Sequence, residues 1–368
     1  MRESIADSIT AFDPALPFDR AWTPPSRWYL DRDIYALERR AVFGRTWQLA
    51  CRTEQVAAPG DYATTCVAGE PWVVVRGGDG RLRAFANTCR HKATVVAEGA
   101  GSLGPAGELV CPYHGWTYGL DGRLKRAPQL GRVRDFVRAG LPELKAEAWG
   151  PYVFVNTDPN APDLAAQLGA LAGALDATGW AGLRHRATRS WDIACNWKVF
   201  CDNYLDGGYH IAHLHPTLDA QLDLSSYRTA LFERCSLQSS DPGAADGRVD
   251  FDPGERIAGG ALYAFVYPNL MINRYGPVLD TNFVIPLGPD RCRVLFDFFF
   301  EDGTDEAFIE ASMAQSDLTQ REDVEVSESV QIGLNAASYD RGRYAELEIA
   351  VHHFHGLLAA DLRGSLGG

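Results

Sequence analysis

The sequence predicts an α+β fold in which a small all-β module precedes an antiparallel sheet with covering helices. Three patterns in its 368 residues support this prediction. Short β-like runs separated by glycine-containing turns extend from about residue 47 to residue 156. A second group of strands occupies residues 225–300, and two helical patterns close the chain. Consecutive strands followed by helices, without regular alternation of the two, indicate an antiparallel sheet with helices packed on it.

The first half of the chain is predicted to contain a helix, the β module and a second helix. The first helix covers residues 29–46 and leads into the module. The clearest strands of the module are predicted at residues 72–76, 82–87, 109–111, 117–120 and 152–156. Residues 159–162 are predicted to be a linker and residues 163–178 an amphipathic helix.

The second half is predicted to combine the larger sheet with its helices. Residues 187–194 alternate like a strand, and residues 197–214 have a helical pattern. Further strands are predicted at residues 225–239, 261–267, 270–275, 281–286 and 292–300. The two closing helices are predicted at residues 305–332 and 343–360.

Composition argues against several classes of protein. The net charge of −13 disfavours binding to nucleic acid, because an acidic chain does not neutralise phosphates. The eight cysteines are scattered along the chain without a secretory signal, so we expect free thiols in a reducing compartment. No apolar run reaches the roughly 18 residues that a membrane span needs. We therefore expect a soluble cytoplasmic protein that binds neither nucleic acid nor membrane.

Two short segments of the β module each carry a cysteine and a histidine. One residue separates Cys89 from His91, and two residues separate Cys111 from His114. Two thiolates and two imidazoles at paired loop tips are typical of a Rieske [2Fe–2S] cluster, in which cysteines hold one iron and histidines the other. A Cys2His2 zinc finger pairs its cysteines first and its histidines afterwards, so the alternating order disfavours zinc.

A second group of candidate ligands lies in the predicted helix 197–214, where His210, His213 and His215 fall within six residues. Two imidazoles and one carboxylate, with open coordination positions, form the facial triad of Fe(II) oxygenases. His210 and His215 are about 140° apart on an ideal helix, so they share a metal only if the helix is distorted or ends between them. His210 and His213 share a face more naturally, and the spacing leaves the choice open.

The carboxylate ligand is expected in the acidic segment 321–331 of the first closing helix. Most acids of this segment are expected to be solvated. Helical periodicity places Asp323 on the same face as Val326, Val330 and, roughly, Phe308, which favours Asp323 as an acid that points inward.

These segments resemble the α-subunits of the Rieske oxygenase family, and most of all the choline monooxygenases within it. The Rieske part of the resemblance is the pair of segments 88–92 and 110–119, the second reading Val-Cys-Pro-Tyr-His-Gly-Trp-Thr-Tyr-Gly. The rest of it lies at residues 196–210, 267–277, 322–331, 339–344 and 352–355. The resemblance therefore extends from about residue 40 to residue 358.

The resemblance implies two sets of metal ligands. Those of the [2Fe–2S] cluster are Cys89, His91, Cys111 and His114. Those of a mononuclear iron are His210, His215 and Asp323. It further implies a symmetric homotrimer in which an acid bridges each iron site to the neighbouring subunit's cluster. In ring dioxygenases this acid lies three residues before the first iron histidine, where this chain has Gly207; Asp206 is the candidate here, and Asn203 is the second expected catalytic residue.

The resemblance also implies the domain limits. Residues 46–158 are expected to form the Rieske [2Fe–2S] domain. Residues 159–368 are expected to form a helix-grip catalytic domain with an antiparallel sheet and covering helices. The N-terminal helical segment 1–45 is expected to belong to the catalytic domain.

The implied function is that of the oxygenase component of a monooxygenase that uses O2 to hydroxylate a small N-methylated or quaternary ammonium compound. A separate reductase or ferredoxin is expected to supply electrons, because no Gly-x-Gly-x-x-Gly run follows a predicted strand and opens a predicted helix, as the fingerprint for a flavin or nicotinamide nucleotide does; the run at residues 99–104 lies inside the predicted β module. Two alternatives stay open. One is an aromatic ring-hydroxylating dioxygenase, and the other is an electron-transfer Rieske protein without oxygenase activity.

A quaternary ammonium group forms no hydrogen bonds, so aromatic faces and a carboxylate are expected around it. The aromatic residues on the predicted strands are Tyr263, Phe265, Tyr267, Tyr275, Phe283, Phe296 and Phe298. We expect at least two aromatic side chains near the iron site with an acid beside them, while most of this set packs in the core. We expect His213 to be structural and not a ligand.

Overall fold

The computed structural model describes residues 4–131, 140–219, 222, 224–240 and 260–366, and the chain forms two compact units. One unit is Phe43–Leu164, and the other combines Met1–Val42 with Ala165–Gly368. The first is an all-β unit and the second contains an antiparallel sheet with helices, so the predicted α+β class is confirmed. The expected domain limits at residues 46 and 159 stay predictions.

The smaller unit consists of two antiparallel sheets. Its strands are β1 (Gln48–Arg52), β2 (Asp61–Val67), β3 (Glu70–Arg76), β4 (Leu82–Ala86), β5 (Ala100–Ser102), β6 (Glu108–Val110), β7 (Thr117–Gly119), β8 (Leu124–Arg126), β9 (Glu143–Trp149) and β10 (Tyr152–Asn156). Seven strands form one sheet in the order β1-β10-β9-β4-β3-β2-β5, and β6-β7-β8 form the other. All five individually predicted strands are present. Short exposed strands such as β5 have no apolar alternation and give no pattern from which to predict them.

The larger unit is built on one seven-stranded antiparallel sheet. Its strands are β11 (Arg184–Ile193), β12 (Arg228–Leu231), β13 (Cys235–Ser240), β14 (Ala261–Val266), β15 (Leu270–Tyr275), β16 (Val278–Gly288) and β17 (Arg291–Phe300), in the order β11-β17-β16-β15-β14-β13-β12. The single strand predicted at 225–239 is wrong, because a turn between Phe232 and Cys235 divides it into β12 and β13. The first nine residues of β16 are all buried, which makes it the strand most enclosed by the core.

The helices agree with the prediction at the C-terminus and differ from it elsewhere. They are α1 (Ile5–Ala11), α2 (Arg27–Leu30), α3 (Arg32–Glu38), α4 (Leu164–Leu168), α5 (Ala170–Asp176), α6 (Trp197–Leu205), α7 (Ile211–Leu214), α8 (Pro216–Asp219), α9 (Glu306–Leu334) and α10 (Ile349–Gly364). The helix predicted at 29–46 is interrupted at Asp31, whose side chain caps α3. The helix predicted at 163–178 is interrupted at Gly169, where φ is 53°.

Helix α6 begins at a buried asparagine that connects it to three other segments. Asn196 Oδ1 accepts a hydrogen bond from Lys198 N at 3.0 Å and caps the helix. Its Nδ2 donates to the carbonyls of Tyr29 and Pro289, and its backbone N donates to Gln331 Oε1 in α9 at 2.8 Å. The start of α6 is therefore fixed relative to α9.

A buried ion pair involves the first turn of α6. Lys198 Nζ is 2.6 Å from Glu38 Oε1, and the two side chains are 1% and 0% exposed. The second carboxylate oxygen of Glu38 accepts a hydrogen bond from Trp197 Nε1 at 2.9 Å, and the Lys198 ammonium lies over the ring of Tyr29. The pair joins α3 to α6, and each charge depends on its partner because water is excluded.

All eight cysteines lie within the described residues, and each is a free thiol. Among the helices described for this chain, none combines the length and the apolar character that crossing a membrane requires.

We predict that Lys198→Ala destabilises the protein by about 3–5 kcal/mol, because it leaves the Glu38 carboxylate buried without its counter-charge. The free energy of unfolding from urea titration measures this effect. The matched control is Asp192→Ala, which removes the exposed pair with Arg293 and costs less than about 1 kcal/mol. Equal losses in the two variants would contradict the prediction.

Candidate active site and metal centres

Two loops of the smaller unit present the four predicted cluster ligands, and both loops close in the same way. Cys89 N donates to the Thr94 carbonyl at 2.8 Å, and Cys111 N donates to the Trp116 carbonyl at 2.7 Å. The residues before these two acceptors, Ala93 and Gly115, have positive φ values of 57° and 68°. The backbone N of each donates a hydrogen bond back to the carbonyl of the cysteine in its loop. The two segments therefore form equivalent turns although their Cys–His spacings differ.

The cysteines and histidines of these loops differ in their surroundings. Cys89 and Cys111 belong to the apolar core of the unit, whereas His91 and His114 are exposed. The two histidine Nδ1 atoms are 3.1 Å apart, and the His91 ring stacks on Trp116 with an interplanar angle of 12°. Two buried sulfurs and two converging imidazole nitrogens fit the ligand chemistry of a Rieske cluster.

Tyr118 hydrogen-bonds to the sulfur of one cysteine. Its hydroxyl lies 3.2 Å from Cys89 Sγ and accepts a hydrogen bond from Arg90 N at 2.9 Å. Burial acts to raise the pKa of Cys89, but hydrogen bonds from Tyr118 and from the backbone of His91 outweigh it and lower the pKa. The environment therefore favours the thiolate, which is the form that binds iron.

In the larger unit, the predicted helix 197–214 is broken between α6 and α7. Gly207 and Gly208 have φ values of 76° and 79°, a conformation that glycine adopts without steric cost. A Cβ at Gly207 would also overlap the carbonyl of Leu347. His210 directly precedes α7, and His215 directly follows it with φ −122° and ψ 69°, which are not helical values. The prediction of one continuous helix is wrong, and the end of α7 before His215 meets the condition under which His210 and His215 can share a metal.

The carboxylate of Asp206 holds the turn together. Its Oδ1 accepts hydrogen bonds from the backbone N of Gly208 and Tyr209 at 2.9 and 3.1 Å. Its Oδ2 accepts from His210 N at 2.9 Å and lies 2.6 Å from His210 Nδ1. Because Nδ1 is engaged in this way, His210 presents Nε2 to a metal.

His215 is oriented by two acids of α9. Its Nδ1 lies 2.6 Å from Glu322 Oε2, and its Nε2 lies 3.1 Å from Asp323 Oδ1. Asn203 Nδ2 donates to the same Asp323 oxygen at 2.7 Å. Burial acts to lower the pKa of His215, but the bonds and charges of Asp323 and Glu322 outweigh it and raise the pKa. Sequence reasoning did not assign Glu322, although its position next to Asp323 was a usable signal.

The structure brings the predicted iron ligands together. One ligand atom each of His210, His215 and Asp323 lies within 4.8 Å of the others. Two imidazoles and one carboxylate, with carboxylates behind both imidazoles, fit a facial-triad iron site and its usual supporting hydrogen bonds. His213 is exposed and lies outside this group.

The reason that Asp323 points inward differs from the predicted one. Val330 is 44% exposed, so the apolar face proposed from periodicity is wrong. The inward face of α9 is apolar only near its ends and is polar between them. Its buried residues are Phe308, Ile309, Ser312, Ser316, Gln320, Ser327, Gln331 and Leu334. Asp323 falls between Gln320 and Ser327 on this face, which lines a polar site instead of a hydrophobic core.

A cavity of about 120 Å³ adjoins the three candidate iron ligands. Its aromatic lining residues are Phe200, Tyr204, Tyr227, Tyr263, Tyr275 and Phe296. The buried carboxylate of Asp280 lies on the same wall and accepts hydrogen bonds from Asn273 Nδ2 at 2.6 Å and from the Tyr275 hydroxyl. The cavity therefore combines aromatic rings with a negative charge.

The aromatic lining agrees in part with the sequence prediction. Tyr263, Tyr275 and Phe296 belong to the predicted set and line the cavity. The other members of that set are buried without lining it; they are Phe265, Tyr267, Phe283 and Phe298. Sequence reasoning missed three aromatic residues of the cavity, which are Phe200 and Tyr204 on α6 and Tyr227 directly before β12. It also missed Asp280, although the single charged residue within the otherwise uncharged strand β16 was a signal that could have been used.

The chain is similar to known proteins over both metal-binding regions. A family model for the ring hydroxylating alpha subunit (catalytic domain) matches residues 181–364, and one for the Rieske [2Fe-2S] domain matches residues 46–137. Chloroplastic choline monooxygenase of Arabidopsis thaliana is 43% identical, over 98% of this chain and 87% of that protein. The carnitine monooxygenase oxygenase subunit of Escherichia coli K12 is 30% identical, over 92% of this chain and 93% of that protein.

A solved structure supports the same relationship. It is that of a quaternary ammonium Rieske monooxygenase, described as giving insights into carnitine oxidation and inter-subunit electron transfer. It has a TM-score of 0.83 and 26% identity, and the alignment covers 97% of this chain and 98% of that one.

We predict that His215→Ala loses its mononuclear iron and that His213→Ala keeps it, because only His215 faces Asp323. Iron per chain, measured by elemental analysis with the Rieske cluster quantified by EPR, tests this. The His213 variant is the matched control for replacing a histidine in this segment. Loss of iron from His213→Ala with retention in His215→Ala would show that the assignment is reversed.

Proposed function

This chain belongs to the Rieske oxygenase α-subunit family, and from that premise we propose that it hydroxylates a small, choline-like quaternary ammonium compound. The family identity makes it an oxygenase that takes a Rieske [2Fe–2S] cluster and a mononuclear non-haem iron. An electron-transfer protein without oxygenase activity is therefore no longer a competing interpretation.

The observation that carries the substrate proposal is the composition of the cavity beside the candidate iron site. A quaternary ammonium group is recognised by aromatic faces, each worth about 0.5–2 kcal/mol, and by a nearby carboxylate. Tyr263, Tyr275 and Phe296 supply such faces, and Asp280 supplies the charge. A neutral arene needs no buried carboxylate, which disfavours the aromatic-ring alternative. The relatives named for choline, carnitine and quaternary ammonium oxidation agree with this chemistry.

We infer two sets of ligands from the donor atoms available. Those of the [2Fe–2S] cluster are Cys89, Cys111, His91 and His114. Those of the mononuclear iron are His210, His215 and Asp323. When bound, the cluster supplies electrons one at a time and the mononuclear iron supplies the site of O2 activation.

The protein side chains contribute orientation at this site. Asp206 and Glu322 bind the Nδ1 atoms of His210 and His215, which leaves Nε2 of each imidazole directed at the metal position. Asn203 holds one oxygen of Asp323, so the carboxylate keeps a defined orientation. The aromatic wall excludes water from the substrate and keeps its cation against Asp280.

Three further proposals concern partners and location. A separate reductase or ferredoxin supplies the electrons, in accord with the Gly-x-Gly-x-x-Gly run at residues 99–104 lying on and around strand β5 and not at the start of a helix, where a nucleotide fingerprint would place it. The chain works as a homotrimer. Two observations support this: His91 and His114 are exposed, and inter-subunit electron transfer is described for the related structure. The cytoplasm is the proposed location, in accord with eight free thiols.

Asp206 is the proposed bridge from the iron site to a neighbouring subunit's cluster. A carboxylate has about four positions that accept hydrogen bonds. Four contacts from Gly208, Tyr209 and His210 occupy those of Asp206. A neighbouring imidazole would therefore share an acceptor position that this chain already uses.

The proposed function predicts turnover of trimethylammonium compounds with a surrogate reductase and O2. Choline, carnitine, glycine betaine and naphthalene form the test panel, with O2 consumption and product formation as the readout. We expect product from at least one quaternary amine and none from naphthalene. Turnover of the arene without binding of any quaternary amine would overturn the proposal.

Within that panel, Asp280→Asn removes the charge that faces the cation while keeping a side chain of similar shape. We expect the KM for the quaternary amine to rise about tenfold, which corresponds to about 1.4 kcal/mol. Asp192→Asn, an exposed acid, is the matched control and should leave the KM unchanged.

We also predict that Asp206→Asn lowers coupled turnover by at least about 100-fold, because the orientation of His210 and the proposed electron path both depend on the carboxylate. The Rieske EPR signal and the iron content should match those of the wild type. A normal rate in this variant would assign the bridge to another acid, such as Asp202, or show that no bridge is needed.

A further inference from the structure

Gln320 carries a buried amide on the cavity wall that this chain does not use. The residue is 2% exposed and lines the cavity beside the candidate iron ligands. Within the described residues, neither its Nε2 nor its Oε1 has a hydrogen-bond partner. Burying an amide without partners is unfavourable, so a purely structural role would be better served by an apolar residue of the same shape.

The position of Gln320 along α9 places it at the iron end of the cavity. It precedes Asp323 by three residues, which puts the two side chains on the same helix face about 4.5 Å apart along the axis. Asp280 lies on another element, strand β16, where its carboxylate accepts hydrogen bonds from Asn273 and Tyr275. The charge of Asp280 and the amide of Gln320 therefore belong to different parts of the cavity wall, one on the sheet and one on α9.

The chemistry of an amide complements that of a hydroxyl group. An amide offers a donor and an acceptor, and a hydroxyl likewise donates and accepts. A quaternary ammonium group can do neither. A carboxylate can accept from Nε2, but it has no proton to donate and would leave Oε1 without a partner. Gln320 therefore matches a substrate whose second polar group is a neutral alcohol.

We propose that Gln320 is the specificity-determining residue that binds the substrate's hydroxyl group and directs its carbinol carbon to the iron site. This rests on the proposed function, and it adds which carbon is oxidised. With the ammonium group at Asp280, one C–H bond of the carbon that carries the hydroxyl group is converted to C–OH. One oxygen atom of O2 enters the product, and the other leaves as water with two electrons from the reductase and two protons. The resulting gem-diol loses water to give an aldehyde.

The opposite orientation gives a different product. If an N-methyl group faced the iron site, hydroxylation would release formaldehyde and a tertiary amine. The ratio of aldehyde to formaldehyde therefore reports substrate orientation, which a change in overall stability does not alter.

The test compares choline with propyltrimethylammonium, in which a methyl group replaces the hydroxyl. The wild type should prefer choline by tenfold or more in kcat/KM, because the analogue leaves the amide unpaired. Gln320→Leu should reduce this preference to about onefold and increase the share of formaldehyde. Calorimetric titration of both compounds without reductant should show the same loss of preference in Kd.

Two further variants make the result specific. Ser327→Ala changes another buried polar residue on the same face of α9 that does not line the cavity, and it should keep the wild-type preference and product. Gln320→Met, which keeps the length of the side chain, replaces Gln320→Leu if that variant does not fold.

The outcomes separate the two proposals. Absence of both binding and turnover of quaternary amines by the wild type would overturn the proposed function and, with it, the role of Gln320. Oxidation of choline by the wild type, with unchanged preference and product in Gln320→Leu, would overturn only the role of Gln320.

Discussion

The break in the helix after Leu205 is the constraint on which the rest of the iron site depends. That break separates α6 from α7, which covers only Ile211–Leu214 and ends before His215. An uninterrupted helix would direct His210 and His215 about 140° apart, whereas His215 here has the non-helical φ and ψ values −122° and 69°. Two glycines in the left-handed region turn the chain, and the carboxylate of Asp206 accepts three backbone N–H groups to hold that turn. Because the same carboxylate also binds His210 Nδ1, one residue stabilises the backbone and orients a ligand.

The site is completed by a helix whose inward face is polar. Such a face would be unfavourable in a hydrophobic core, but on α9 it lines a cavity and carries the third candidate ligand. Glu322 and Asp323 each contact one ring nitrogen of His215. Asn203, on α6, donates a hydrogen bond to Asp323 and so fixes the orientation of its carboxylate. The hydrogen bond from Asn196 N to Gln331 keeps α6 and α9 in the alignment that these contacts need.

The four candidate ligands of the smaller unit also depend on backbone hydrogen bonds that fix the loops and on side chains that leave those loops in defined directions. Matching backbone hydrogen bonds close the two loops, so the thiols of Cys89 and Cys111 are fixed within the core. His91 and His114 extend to the surface from the same loops. A cluster held in this way keeps its sulfur side away from water and presents its imidazole side for electron transfer.

The sequence by itself determined the fold class, the two groups of ligand types and most strands, because metal-binding residues and alternating strands leave local patterns. It could not choose between His213 and His215, since the choice depends on where α7 ends and on the non-helical backbone dihedral angles of His215. It also could not identify Glu322, Asp280 or Gln320 as parts of the site. Their roles come from neighbours distant in the chain, as when Glu322 meets His215 across 107 residues. Only tertiary packing brings such polar groups together and decides which of them are buried, and burial is what gives each one its chemical role.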